Sequence, residues 1–255
     1  MTLVTHVLAC EMEHGLVLVD VGIGSADIAS PTPRLGRSAR LSGAQLRTAD
    51  TAAVQIEQLG FARTDVTDVV ATHLDYDHIG GFADFPNATL HTTGAELAEA
   101  RTPQRTTGGN GRYRRAHIDA ITRSRTYTRC DAEILGLSGH SLNNLDGMYL
   151  LPIPGHTRGH AAVALRVPGR DWLVHAGDAF MHRDAVTPPS ESSPSLSGRA
   201  IRAVEMLMAT DRTQVRANHR ALMNLRGSAI RLFCSHDAQQ FNDLRQEQDT
   251  IAPKL

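Results

Sequence analysis

With 255 residues, 41% of them hydrophobic, and a formal net charge of −1, the chain can bury a sizeable core and offers no general electrostatic pull toward nucleic acid or an anionic membrane. A single lysine, Lys254, excludes a Gly-Lys-Ser/Thr phosphate loop and a central Schiff-base lysine. Three widely spaced cysteines, Cys10, Cys130 and Cys234, form no Cys-x-x-Cys pair, which argues against a disulfide framework or thiolate metal site and for a reduced compartment.

Residues 2–10 and 15–21 read as two β-branched strands joined by the charged turn EMEHG. The start carries no basic, apolar, small-residue export pattern, and no run reaches ~18 apolar residues, so a soluble cytoplasmic chain is expected. Residues 29–48, rich in Ser, Pro, Gly and Arg, read as a long loop. A helix is predicted over 50–60, with Asp50 or Thr51 as N-cap and Gly60 as stop, followed by a strand over 66–73. A strand over 88–93 precedes the helical GAELAEAR, and residues 102–117 read as irregular. Strands are predicted at 148–153, 161–167 and 171–177, and a loop at 184–200. Helices follow at about 198–210 and 212–226, then a last strand at 229–236. No linker divides this order, so residues 1–255 read as one domain. Strand-rich and helical stretches alternate as two sheets with outer helices would require.

The chemistry concentrates at strand ends. His73-Leu74-Asp75-Tyr76-Asp77-His78-Ile79-Gly80-Gly81 offers four metal-ligating side chains in six residues, directly after an apolar strand. If the segment is extended, His73, Asp75 and Asp77 share a face, while His78 turns toward a neighbouring position. Gly80 and Gly81 then supply a tight backbone turn. Three further strand ends carry Gly155-His156-Thr157-Arg158-Gly159-His160, Gly177-Asp178-Ala179 and Ser235-His236-Asp237. Each is weak alone, since a lone His or Asp there is more often a cap or surface group. In this order they reinforce one another.

At these residues the chain resembles the metallo-β-lactamase superfamily. HLDYDHIGG is similar to its His-x-His-x-Asp-His loop apart from one change, GHTRGH to its Gly-His-Thr-x-Gly-His segment, and GDA and SHD to its bridging Asp and final His. The early GLVLVDVGIG is also similar, so the resemblance runs from about residue 3 to 240. It implies an α/β fold, the four-layer αββα sandwich, with two metals at one edge of the sheets. Carried over, His73, Asp75 and His156 would hold one metal, Asp77, His78 and His236 the other, and Asp178 would bridge them. Asp20 would orient a ligand from behind, and His160 would be structural.

The departure is Asp75, where the family pattern has His. Three carboxylates then face two divalent ions, leaving the centre one charge less positive. Zinc suits the histidines, while the oxygen-rich first site would also take iron or manganese. The expected activity is hydrolysis of an ester or lactone, with thioester and amide as variants, by a metal-bridging hydroxide, with Asp77 as proton shuttle. The branch that opens N-acyl homoserine lactones is most similar, but its Tyr three residues after the bridging Asp is Met181 here. His182 is the candidate substitute donor. The alternatives are a di-iron redox enzyme or a non-catalytic metal-binding sensor on the same fold. The expected partner is a small-molecule substrate, with no nucleic acid or membrane, on a monomer or dimer. The arginine-rich 101–129 segment reads as a solvated loop and helix, or as a guide for an anionic substrate. His6, His14, His91, His117, His140, His175 and His219 have no motif around them and read as structural or surface residues.

Overall fold

Strand β2 (Gly15–Val19) shows how the layers are made. Leu16 and Leu18 pack in one buried apolar cluster while Val17 and Val19 pack in another, the two-residue alternation of a strand covered on both faces. A computed structural model describes residues 3–41, 44–102, 112–167, 172–225 and 229–251. Lys254, Arg105 and the GGNG stretch lie outside them.

In the first sheet β1 (Leu8–Met12) pairs antiparallel with β2. Strands β3 (Val66–Val70), β4 (Thr89–Thr93) and β5 (Ser124–Tyr127) then add in parallel, in the order β1-β2-β3-β4-β5. The second sheet runs antiparallel through β6 (Ala132–Ile134), β7 (Leu137–Ser141), β8 (Met148–Pro152), β9 (Ala161–Arg166) and β10 (Trp172–His175). Strand β11 (Ile230–Phe233) joins β10 in parallel at its edge.

Three apolar clusters fill the three gaps of a four-layer sandwich. Cys10, Val17, Val19 and Val70 of the first sheet meet Met148, Leu150, Ala161 and Val163 of the second. The opposite face of the first sheet packs on α3 (Ala52–Gln58) and α5 (Gly94–Ala100) through Ala52, Ala53, Ile56, Leu97 and Ala100. The opposite face of the second sheet, with Leu151, Ala162, Ala164 and Val174, packs on Leu222 of α8 (Arg212–Asn224). Helix α3 starts at Thr51, whose hydroxyl accepts from Val54 N, and α8 at Asp211, which accepts from Thr213 N and Gln214 N.

The expected loop at 29–48 is a correction. Helix α1 (Ser25–Ala29) and the helical segment α2 (Pro31–Leu41), which breaks at Gly36 (φ 75°), occupy most of it. Pro31 and Pro33 sit in the first turn of α2, where a missing N–H costs no hydrogen bond, so prolines that read as loop markers begin a helix. The short helix α6 (Arg115–Ile118) ends the stretch that read as irregular, and helix α7 (Leu196–Met208) starts two residues before its expected position, capped by Ser195. Strands β5, β6 and β7 and the last helix, α9 (Ala238–Ile251), carried no clear sequence signal. No helix of the described residues is long and apolar enough to cross a membrane.

Candidate metal centre

The four loops that carry the candidate ligands leave the C-terminal ends of β3, β8, β10 and β11. Strands β8, β10 and β11 run the same way through the second sheet, so their ends meet at one edge. Backbone bonds stitch the first sheet to that edge: Ala161 N donates to Thr72 O at 2.9 Å, and His6 N donates to Ser235 O at 2.9 Å. Beyond Asp75 the 73–78 loop is not extended. It enters the helical turn α4 (Tyr76–Ile79), and that turn presents Asp77 and His78. Gly80 and Gly81 also do a different job from the expected turn. Gly80 has ordinary right-handed backbone, but a Cβ there would stand 2.4 Å from the Asp27 carboxylate, and one at Gly81 would stand 2.7 Å from Val21 O.

Seven side chains converge in three overlapping groups. They are His73, Asp75 and His156; His73, His78 and Asp178; and Asp77, His78 and His236. His73 belongs to the first two groups and His78 to the last two, so the centre is continuous. Asp178 Oδ2 lies 3.1 Å from His236 Nε2, 3.5 Å from His156 Nε2 and 3.9 Å from His73 Nε2. Its Oδ1 lies 3.4 Å from His78 Nε2. Asp77 Oδ2 is 3.8 Å from His236 Nε2, and Asp75 Oδ2 is 3.1 Å from His156 Nε2. The side chain of Asp77, at 24% exposure, is the most open of the seven.

The imidazoles are aimed by what stands behind them. Asp20 accepts from His78 Nδ1 at 2.9 Å, from Thr72 N at 2.8 Å and from the Thr72 hydroxyl at 2.8 Å. With its proton committed to Asp20, the Thr72 hydroxyl accepts from His73 Nδ1 at 3.0 Å. His236 Nδ1 donates to the Val4 carbonyl at 2.8 Å. All three rings therefore turn Nε2 into the cluster. The buried atoms His73 Nε2, His78 Nε2, Asp75 Oδ1 and Asp178 Oδ1 have no hydrogen-bond partner among the described residues. Such convergent, unpaired buried donors fit a cation site.

A family model for the metallo-beta-lactamase superfamily matches residues 8–231. The chain belongs to that superfamily. It is 38% identical to a probable metallo-hydrolase of Mycobacterium tuberculosis over 92% of this chain and 75% of the relative. It is 32% identical to the N-acyl homoserine lactonase AttM of Rhizobium radiobacter over 49% of this chain and 45% of that protein. Among solved structures, AiiA of B. thuringiensis with N-decanoyl-L-homoserine bound superposes with a TM-score of 0.68 at 17% identity, over 94% of this chain and 84% of that one. AidC, a dizinc quorum-quenching lactonase, gives 0.61 at 17% identity, over 92% and 73%.

Within this superfamily fold the electrostatics of the centre are sharply polarised. Burial alone would raise the Asp178 carboxyl, but His236 and His78 beside it hold it well below the usual range. Burial would lower His236, yet Asp178 raises it to about 9; His78 is raised well above its ordinary value against the same burial by Asp178, Asp77 and Asp20. The carboxylates thus create a strong local demand for positive charge.

His160 belongs to none of the three groups. Its Nε2 accepts from Asp178 N at 2.9 Å, so that lone pair is spent on fixing the Asp178 backbone. His182 belongs to none of the three groups. Its Nδ1 accepts from Asp184 N at 3.2 Å. The motif-free histidines are spent elsewhere too: His91 bonds Asp68 and Tyr127, His117 bonds Asp27, and His140 bonds the Arg129 carbonyl.

Two residues of the site were not singled out by the sequence. Glu96, fully buried on α5, accepts from Leu74 N, the Tyr113 hydroxyl, the Thr157 hydroxyl and Gly159 N at 2.9, 3.1, 2.6 and 3.1 Å. It ties the 73–78 loop to the 156–160 loop. A Cβ at Gly159 would fall 2.1 Å from Glu96 N, so only glycine admits this approach. Arg112, from the arginine-rich segment, donates through Nη1 to Asp75 Oδ2 at 2.5 Å. The only earlier signals were a Glu on a helix flanking the centre and an arginine excess with no assigned partner.

Proposed function

We propose that the chain is a binuclear metal-dependent hydrolase that cleaves an ester or lactone of a small molecule. His73, Asp75 and His156 would hold one cation, Asp77, His78 and His236 the other, with Asp178 between them. The observation that carries this reading is the continuity of the three ligand groups through His73 and His78. Two divalent ions bound there would supply a polarised carbonyl and a water acidic enough to ionise near neutral pH. Zinc suits the four histidines, and the dizinc AidC supports that choice.

The protein's own contribution is orientation and proton handling. Asp77, at the open side of the cluster, is the carboxylate placed to hold and pass on the proton released as the nucleophile forms. Met181 is buried and offers no hydroxyl to a substrate carbonyl. Its neighbour His182 accepts at Nδ1, which leaves the proton on Nε2 as a donor, and its side chain is 19% exposed. His182 is the proposed positioning group for the carbonyl. The partial similarity to AttM supports a lactone as the first substrate class to try.

The test is an ester, lactone and thioester panel run beside metal analysis on the wild type and Asp77→Asn. Two metals per chain, with turnover reduced at least ~100-fold in a folded Asp77→Asn variant, is the expected result. Undiminished hydrolysis by that variant would remove Asp77 from the mechanism, and a wild-type protein that takes up no metal would overturn the reading altogether.

A further inference from the structure

The first ligand group contains something the other two lack. Asp75 is buried, and its Oδ2 is bonded at 2.5 Å by Nη1 of Arg112. The same Nη1 lies 2.9 Å from His156 Nε2, so one guanidinium nitrogen touches two of the three side chains of that group. Nη2 of Arg112 donates to the Met208 carbonyl at the C-terminal end of α7, which fixes the guanidinium from the far side. The Arg112 side chain is itself only 18% exposed. Among the described residues, no arginine pairs with Asp77 or Asp178.

The position of the pair gives it a physical role. Asp75 stands where a neutral imidazole would leave the centre one charge more positive. Arg112 returns that charge at hydrogen-bond distance, on a side chain that stays protonated at any working pH. Arg112 bonds the same oxygen, Oδ2, that lies 3.1 Å from His156 Nε2 and 3.4 Å from His73 Nε2, while Asp75 Oδ1 is buried with no partner among the described residues. A guanidinium beside a bound cation repels it, and the carboxylate offsets that repulsion only while both are present.

We propose that Arg112 is the counter-charge of Asp75, and that the two act as one unit that sets how tightly the first half-site holds its cation, independently of the second. This deepens the metal-dependent reading above and rests on it. Arg112 is a positioning residue here, acting through Asp75 rather than on the reacting atoms.

The experiment is calorimetric titration of Zn2+ into the metal-free full chain, for the wild type, Arg112→Gln, Asp75→His and the double variant. Circular dichroism of each confirms that it is folded. Arg112→Gln is expected to tighten one of the two binding constants at least tenfold and leave the other unchanged. Asp75→His should weaken that same constant at least tenfold, because the guanidinium loses its partner beside the ion. The double variant should return to within about threefold of the wild type. Asp75→Asn, which removes charge with little change in shape, should weaken the same constant and serves if Asp75→His fails to fold. The inference is overturned if Arg112→Gln leaves both constants within threefold of the wild type, or if Asp75→His binds as tightly with Arg112 in place. Two wild-type constants with no response to either substitution would sink the pair but spare the metal reading. A wild type that binds no Zn2+ would sink both.

Discussion

Glu96 Oε2 accepts the hydroxyl proton of Thr157 at 2.6 Å, and through it α5 holds the loop that carries His156. The other oxygen of the same carboxylate accepts from Leu74 N, between His73 and Asp75. Each oxygen takes two donors, so the group is saturated. Glu96→Gln replaces one oxygen with an amide that presents protons to two donors. The expected cost is about 3 kcal/mol of unfolding free energy, two charge-assisted bonds at the lower end of their range. Metal affinity should fall with it, since His73, Asp75 and His156 lose their common brace. Denaturant unfolding and metal titration of this variant check both effects; a change in stability without a change in affinity would confine Glu96 to the fold.

Metal uptake should release protons. In the metal-free chain His236 is raised to about 9, because Asp178 outweighs the effect of burial, and His78 is raised well above its usual value. At pH 7.5 His236 therefore carries a proton that a cation must displace from Nε2. Apparent affinity then falls as pH drops below about 9, by up to tenfold per unit for each proton displaced. Titrations at pH 7.5 in buffers of different ionisation enthalpy should report at least one proton released per chain. A binding enthalpy independent of the buffer would contradict the prediction.

Much of this candidate site is legible in the sequence because the side chains that could hold a metal are clustered at strand ends. Asp75, Asp77 and His78 lie within six residues of His73, and a strand followed by a polar loop is a local signal. The supporting residues were not legible for the opposite reason. Glu96 works through contacts with residues 22, 61 and 63 positions away, and Arg112 reaches back 37 positions to Asp75. Nothing near either residue in the sequence indicates such a contact. The missed elements follow the same rule. Strand β5 is largely exposed and so lacks the apolar alternation that marks a half-buried strand, and α9 is polar along most of its length. The helical turn at Tyr76–Ile79 defeated a period-two reading of the ligand loop, although it delivers the same side chains to the same centre.

His6 supplies a pH dependence of folding that is separate from the metal centre. It is buried against Phe233 and Phe241, with ring centroids 4.7 and 5.0 Å away, and burial together with His175 lowers its pKa to about 3. The unfolded chain takes up this proton near pH 6.5, whereas the folded chain resists until about pH 3. Between those values the unfolded state binds more protons. The stabilisation is therefore complete above pH 6.5 and is lost as pH falls, by about 1.4 kcal/mol per unit. His6→Phe keeps the ring and both backbone bonds of residue 6 but removes the titration. Urea unfolding of the metal-free protein at pH 6 and pH 5 should show the wild type losing more stability over that interval than the variant. Parallel losses would mean that His6 does not carry the effect.

Asp20 offers the cleanest separation of orientation from coordination. Its backbone is left-handed, with φ 55°, a conformation that Asn adopts readily, so Asp20→Asn leaves the chain path intact. The amide can still accept from Thr72 N through its oxygen. Its nitrogen then faces Thr72 Oγ1 and His78 Nδ1, both of which donate to the carboxylate in the wild type. His78 is driven to place its proton on Nε2, the atom that would bind the cation. Thr72 turns its hydroxyl proton toward His73 and unsettles that ring as well. Neither histidine is removed, yet metal affinity should fall about 10- to 100-fold, as for other residues that orient a ligand from behind. The far-ultraviolet spectrum should remain unchanged. Zinc competition against a chromophoric chelator measures the loss, and an affinity equal to the wild type would show that the Asp20–His78 bond is not what fixes the ring.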